Sequence, residues 1–364
     1  ENRNFEFDGL TADHVESVEV IKAPTPDMGA DSIGGTVNMK TKSAFNYSGG
    51  RRVSASLGIA RDGSKRHTML PGGNFYYSEV FGRDRNIGMS FNLGYSEHNV
   101  PRDGSQITYP TNTNRPNYMQ LVRLFDQLNT RVRFGGGLKL DYKLNEQTSF
   151  YANSLFTASN EQKENDFMGR RVVVQTNAAG ITPGYTDDRV QYRATNNTIA
   201  TQELTKSPKS HQAFFWATGF KHRLDSWLFE GEATLSRDLQ DYDAAKHKVG
   251  AMNNQLRNIG IILDRTNGDR SFPTITQVSG PDMWDVANYT AGVLTQRVSA
   301  ASDQVWSGQA NITKDFDTEF PFSLKFGGKY NTQFRRISRG DRSYAYLGPD
   351  GVAASGDEGL LRFL

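Results

Sequence analysis

The sequence predicts an all-β fold: part of a large antiparallel β-barrel of the transmembrane kind. Three observations predict it. From Arg52 onward, apolar and polar residues alternate with a period of two in segment after segment, the mark of strands whose two faces meet different solvents. The connections between these segments run short, then long, then short, as when tight turns line one rim of a barrel and long loops the other. No run of eighteen apolar residues occurs, which leaves helices out as spanning elements.

Nine strands follow from the alternation. In the first, Val53, Leu57 and Ile59 oppose Ser54, Ser56 and Gly58, with Ala55 on the apolar side. A second is expected over 74–82. The third is the cleanest, with Ile87, Met89, Phe91, Leu93 and Tyr95 against Gly88, Ser90, Asn92, Gly94 and Ser96. In the fourth, Val132, Phe134, Leu138, Leu140 and Tyr142 oppose Arg131, Arg133, Lys139, Asp141 and Lys143. Strands over 148–160 and 211–223 come next. In the seventh, Trp227, Phe229, Ala233 and Leu235 face away from Glu230, Glu232, Thr234 and Ser236. The eighth, 303–316, carries Trp306, Ala310, Ile312 and Phe316 on one side. In the ninth, Phe322, Leu324, Phe326, Tyr330 and Phe334 oppose Ser323, Lys325, Lys329, Asn331 and Gln333. Tight turns are expected at Arg83–Asn86, Asn145–Gln147, Leu224–Ser226 and Asp317–Pro321, and long loops over 61–73, 99–130, 161–210, 241–302 and beyond 338. Within 99–130, Leu121, Leu124, Phe125 and Leu128 stand at helical spacing and predict a short amphipathic helix. Nine strands do not close an even-numbered barrel, and an open edge in lipid leaves backbone groups unpaired, so the chain is expected to be one piece of a longer protein.

Composition agrees and excludes other classes. The 42 Lys+Arg and 40 Asp+Glu residues give a net charge of +2, interspersed along the chain, so no field recruits nucleic acid. Low mean hydropathy suits a barrel, whose strands show lipid only at every second residue. With no cysteine, disulfide frameworks, thiolate metal sites and thiol nucleophiles are excluded. His14, His67, His98, His211, His222 and His247 are scattered, with no pair at metal-ligand spacing. No Gly-x-Ser-x-Gly elbow or phosphate-binding loop occurs, and Asp264–Asp269 lacks the spacing and distal Glu of a calcium loop. The chain is therefore read as a non-enzyme with no cofactor and no metal.

Ahead of the strands, Thr11–Ser17 predicts a short helix and Val18–Lys22 an apolar strand, ended by Pro24 and Pro26. Thr36–Lys40 is a second alternating strand, with Gly29 and Gly34–Gly35 free to turn before it. Asp13, Val15, Glu16, Val18, Glu19, Val20, Ile21, Lys22 and Pro24, followed by Gly29, Gly34, Gly35, Val37, Asn38, Thr41 and Lys42, resemble the end of the plug in TonB-dependent outer-membrane receptors. Ala23 departs from the glycine that many members carry there. The motif covers about a tenth of the chain and stands just before the first barrel strand.

The resemblance implies that 1–45 is the C-terminal part of an α/β plug domain. Residues 46–364 would then be the first nine strands of a barrel of about 22, wide enough to hold such a plug. It further implies a bacterial outer-membrane receptor for energised uptake of a scarce large solute, an oligosaccharide or ferric siderophore. The TonB energy-transducing complex would be its partner, engaged through a plug region not contained here. Val20, Lys22, Pro24, Gly29, Gly34, Gly35, Asn38 and Thr41 carry the motif. Solute contacts are expected at Arg102, Tyr109, Asn117 and Tyr118 in one loop and Arg257, Trp284 and Tyr289 in another, where aromatic rings and arginines suit sugars or anionic chelates. Arg131, Arg133, Lys139, Lys325, Lys329 and Arg335 are expected to form a charged wall toward the plug, and Asn92 to tolerate arginine. A passive porin-like channel and a soluble secreted β-sandwich binding protein are the alternatives.

Overall fold

The computed structural model describes residues 15–22, 35–46, 50–61, 69–111, 116–165, 171–243, 251–266, 270–290, 293–345, 347 and 350–352. Its sixteen strands are β1 (Val15–Ile21), β2 (Thr36–Thr41), β3 (Arg51–Arg61), β4 (Met69–Phe81), β5 (Ile87–Thr108), β6 (Leu121–Lys143), β7 (Thr148–Asn165), β8 (Arg171–Gln175), β9 (Arg189–Tyr192), β10 (Ile199–Leu224), β11 (Trp227–Asp243), β12 (Ala251–Arg257), β13 (Gly260–Asp264), β14 (Thr274–Ser279), β15 (Val293–Phe316) and β16 (Phe322–Ala345). The fold is all-β, and every strand pairing is antiparallel. Among the described residues, no helix is long and apolar enough to cross a membrane.

Nine long strands form one meander, β3-β4-β5-β6-β7-β10-β11-β15-β16, and β3 and β16 are its two open edges. They coincide with the nine alternating segments. The tight turns also stand where the sequence places them; Asp225, at φ 51°, supplies the left-handed residue that the Leu224–Trp227 hairpin needs. Because the registers run unbroken from strand to strand, alternate residues collect on two opposed faces. A row such as Phe91–Leu138–Ser154–Trp216–Leu235–Trp306 crosses one face, and Ser90–Lys139–Asn153–Ala217–Thr234–Ser307 crosses the other. On the apolar face, Phe75, Leu93, Phe134, Leu140, Phe150, Phe220, Trp306 and Phe326 are exposed. Tilted ring pairs such as Phe134–Phe156 (6.3 Å) and Phe150–Phe220 (6.4 Å) tile it.

The helix expected at Leu121–Leu128 does not form. Those residues open β6, with Leu121 opposite Thr108 and Leu128 opposite Pro101 in the same register that holds Tyr142 opposite Ile87. Extending that ladder pairs the backbone of both segments, which a short isolated helix lying on the sheet does only for its own residues. The two longest expected loops are likewise built largely of strand. β8 continues the place of β7 between β6 and β10: Asn165 stands opposite Gln127, and Val172 opposite Leu124. In the same way β12 takes over from β11 beside β10, with Ala251 opposite Thr205.

The remaining loop segments form a second, three-stranded sheet, β14-β13-β9. Val122, Val174, Ala200 and Leu256 lie in one row across β6, β8, β10 and β12, on the face that carries Phe134 and Leu140 lower down. All four are buried in a cluster with Met119, Tyr192, Ile259, Ile261, Leu263 and Met283. The apolar face is therefore bare along the turn-side half of the sheet and capped at its loop-side end.

At the front, β1 and β2 pair with Val20 opposite Val37 and Val18 opposite Met39. The helix expected over Thr11–Ser17 is corrected where it is described: Val15–Ser17 already belong to β1, since alternating valines hold that segment in the ladder with β2; residues 11–14 lie outside the described residues.

Candidate functional site

The polar face carries a strap. After β2 the chain turns through Ala44–Asn46 and lies against β4, β5 and β6. Lys139 Nζ donates to the Thr41 carbonyl (3.3 Å), and Ser43 Oγ donates to Asp141 Oδ2 (2.7 Å). Lys143 Nζ sits 4.1 Å from the Phe45 ring centre, and Lys42 Nζ 5.2 Å from that of Tyr76, both within cation–π range. Asn46 Nδ2 donates to the Glu16 carboxylate (2.7 Å), tying the strap back to β1. Thr41 and Lys42 line a small recess with Tyr76, Ser90, Asn92 and Gly137. Asn92 is only 6% exposed there, so the expectation that it tolerates arginine is corrected: a guanidinium has no room beneath the strap.

Gly88 is what lets the strap come this close. A Cβ at Gly88 would lie 2.9 Å from the Phe45 ring and 3.3 Å from Ala44 Cβ. Gly88→Val should therefore displace the strap at a cost of about 1–3 kcal/mol, the range for overpacking. Oxidative cross-linking of an S43C/D141C pair reports it: the yield should fall sharply when Gly88→Val is added, and an unchanged yield would refute the close approach.

Three of the six cations expected in the charged wall pair with carboxylates of the same sheet. Arg131 meets Glu161 (3.4 Å) and Arg335 meets Asp303 (2.6 Å) across neighbouring strands, and Lys325 reaches over β15 to Glu230 on β11 (3.7 Å). Of the six expected cations, Lys139 is the one with a bond to the strap among the described residues. Lys221–Glu230 (2.9 Å), Arg223–Asp315 (3.1 Å) and His211–Asp238 (2.6 Å) extend the same cross-strand lacing, which sequence reasoning did not pair.

The motif residues divide. Gly35 (φ +122°) approaches the Ile21 carbonyl to within 2.8 Å of where a Cβ would stand, so this position demands glycine. Asn38 Nδ2 reaches Glu19 (3.4 Å), and Lys40 pairs with the same carboxylate, holding it below the usual range chiefly through that hydrogen bond. Val20 lies in β1, Lys22 directly after it, and Thr41 closes β2. Pro24, Gly29 and Gly34 lie outside the described residues.

At the loop end, Tyr118 (8% exposed) and Tyr289 (2%) are buried in the cap, where Tyr289 Oη donates to the Met283 carbonyl (2.8 Å) and Tyr118 packs edge-on against Tyr185. Their expected role as solute contacts is corrected: both rings face the cap interior. Tyr109 Oη accepts from Arg265 (2.8 Å), which also meets Asp188 (3.2 Å). The Asn117 amide donates to Asp187 Oδ1 (2.6 Å). Two residues do present themselves to solvent: Trp284, 43% exposed, and Arg257, whose guanidinium donates to the Asn196 carbonyl (2.9 Å) and Gln255 (3.0 Å). Arg102 is carried on β5 opposite Gln127. Nearby, Asp264 is held below the ordinary carboxyl range by hydrogen bonds from Thr266 and by Arg189. Nothing in the sequence marked Tyr192, yet it is fully buried at the centre of the cap.

No protein-family model matches the chain, and no curated protein matches it. Among solved structures it is similar to BauA, the ferric preacinetobactin receptor from Acinetobacter baumannii, at 12% identity and a TM-score of 0.29. The match covers 95% of this chain and 52% of that one, so the chain spans about half of that protein's length.

Proposed function

We propose that this chain is the plug end and the first nine barrel strands of a TonB-dependent outer-membrane receptor. One observation carries the reading. A single sheet face is apolar and bare from the tight turns upward, then covered by protein at the level of Val122 and Ala200. A face meant for water has no reason to stay apolar, and one meant for a protein core has no reason to stay bare; hydrocarbon satisfies both. The opposite face, polar and laced by ion pairs, lines the lumen, and the strap holds the plug (residues 1–45) against it.

In this reading residues 46–364 form wall and outer loops, and solute is met outside by Trp284 and Arg257, with Tyr109, Asn117 and Arg102 on the same rim. The solute class is a ferric siderophore or a glycan. The TonB complex acts on plug regions ahead of β1, while the strap keeps the plug tethered to β5 and β6.

Uptake by cells making the intact protein tests this. Labelled ferric chelates and oligosaccharides should accumulate in the periplasm, and accumulation should collapse when the inner membrane is de-energised. Flux indifferent to de-energisation would point to a passive channel, and recovery of the protein outside the membrane fraction would end the membrane reading altogether.

A further inference from the structure

On the apolar face of β5–β16, the rows from the tight turns up to that of Arg336 carry three cations, unevenly placed; Arg342 lies three rows further along β16 on the same face. Lys314 lies beside the β15–β16 turn, 4.7 Å from the Trp227 ring centre, and bonds to Ser226. Arg237 and Arg336 lie at the other limit. Arg237 shares a row with Phe214, Gln304 and Phe334; one row further on, Arg336 stands opposite Ser302, which stands opposite Leu239. The row just below contains Trp216, Leu235 and Trp306. Arg237 and Arg336 are exposed, and neither has an ion pair among the described residues.

Their height is informative. Arg237 stands ten residues beyond Trp227, which opens β11 at its turn. At roughly 3.3 Å per residue and a strand tilt of about 40°, this is about 25 Å, the height of the apolar band of a membrane barrel. Arg237 thus comes level with lipid headgroups, above an aromatic row, and Arg336, fourteen residues beyond Phe322 where β16 opens, stands about 10 Å higher by the same measure, on the headgroup side. They stand two strands and one row apart, about 12 Å between Cα atoms. The carboxylate on the same face nearest in register, Asp241, lies a row beyond Arg336, opposite Ala300.

We infer that Arg237 and Arg336, with Gln304 between them and Trp306 below, form a binding site on the barrel's outer wall for the phosphomonoester headgroup of a membrane lipid. The inference rests on the membrane reading above. A terminal phosphate bears up to two charges and three acceptor oxygens, which suit forked guanidinium donors. Ser302 and Gln304 add neutral donors on the strand between. The acyl chains would lie over Trp306, Phe326 and Phe334, all exposed on that face.

The test uses the intact protein, purified in mild detergent and offered phosphatidic acid, phosphatidylcholine or inorganic phosphate, with retained lipid counted by native mass spectrometry. Phosphatidic acid should be retained at least fivefold over phosphatidylcholine, and free phosphate should compete weakly. An R237Q/R336Q double variant should lose that preference while keeping the heat-modifiable gel mobility of a folded barrel. Lys314→Gln, at the opposite rim, should leave it unchanged. Equal retention of both lipids, or a preference that survives R237Q/R336Q, overturns the site. Displacement by inorganic phosphate as effective as that by the lipid would assign the arginines to a free anion instead and equally overturn it. Failure of the unaltered protein to show barrel mobility would strike the membrane reading rather than this site.

Discussion

Leu93→Arg is expected to destabilise the protein in bilayers by about 2–4 kcal/mol, the cost of a guanidinium near the midplane on a lipid-facing strand position. Leu93 lies six residues beyond the turn-side end of β5, on the bare face, opposite Phe75 on one side and Gly136 on the other. Asn331→Arg provides the contrast. Asn331 is exposed on the polar face of β16, opposite Ser307, and a further cation there meets water and the neighbouring polar row. Its cost should stay within about 0.5 kcal/mol, as for surface substitutions generally. Folding titrations into lipid vesicles measure both. Comparable costs at the two positions would mean that the faces do not meet different solvents.

The second large effect belongs to the cap. Tyr192 is fully buried among Met119, Ile261 and Leu263, and its hydroxyl donates to the Met119 carbonyl (2.6 Å). Burial pushes its phenol well above the ordinary tyrosine range, so the hydroxyl remains a donor at any working pH. Tyr192→Ala should cost about 3–5 kcal/mol, as other aromatic truncations in cores do. Tyr192→Phe should cost only about 1 kcal/mol for the lost hydrogen bond. The loss should be local. Hydrogen exchange over β9, β13 and the 117–124 segment should accelerate, while the turn-side stretches of the long strands keep their protection, because only the loop-side ends of β5, β6 and β10 enter the cap's core. Uniform loss across the whole sheet would show that cap and wall unfold as one unit.

Much of the wall was legible in the sequence because a period of two is a local signal: Ile87 to Tyr95 announce both their strand and its two faces without reference to any partner. The turns were legible for the same reason. The cap was not. Its strands are short, Ile261 and Leu263 sit in an apolar run without alternation, and Arg189–Tyr192, buried at every second residue, alternates over too few residues to stand out as a period. The misread helix at Leu121–Leu128 has a related cause. Apolar residues at spacings of three, one and three fit a helical stripe, and only the β5 register shows that a ladder claims them. Tyr118 and Tyr289 looked like solute contacts because aromatic residues in polar loops are the usual recognition groups, and burial is invisible from composition.

The sequence by itself determined that the chain makes two-faced antiparallel strands joined by tight turns at one end, since side-chain alternation and turn chemistry are written within a few residues. The tertiary structure alone decided where the loops go, which aromatics are buried, and that the strap lies against β5 and β6 through Gly88, Lys139 and Asp141. Those outcomes depend on contacts between residues distant in the chain, such as Ser43 with Asp141 or Tyr192 with Met119, and no local pattern encodes a partner 98 or 73 positions away.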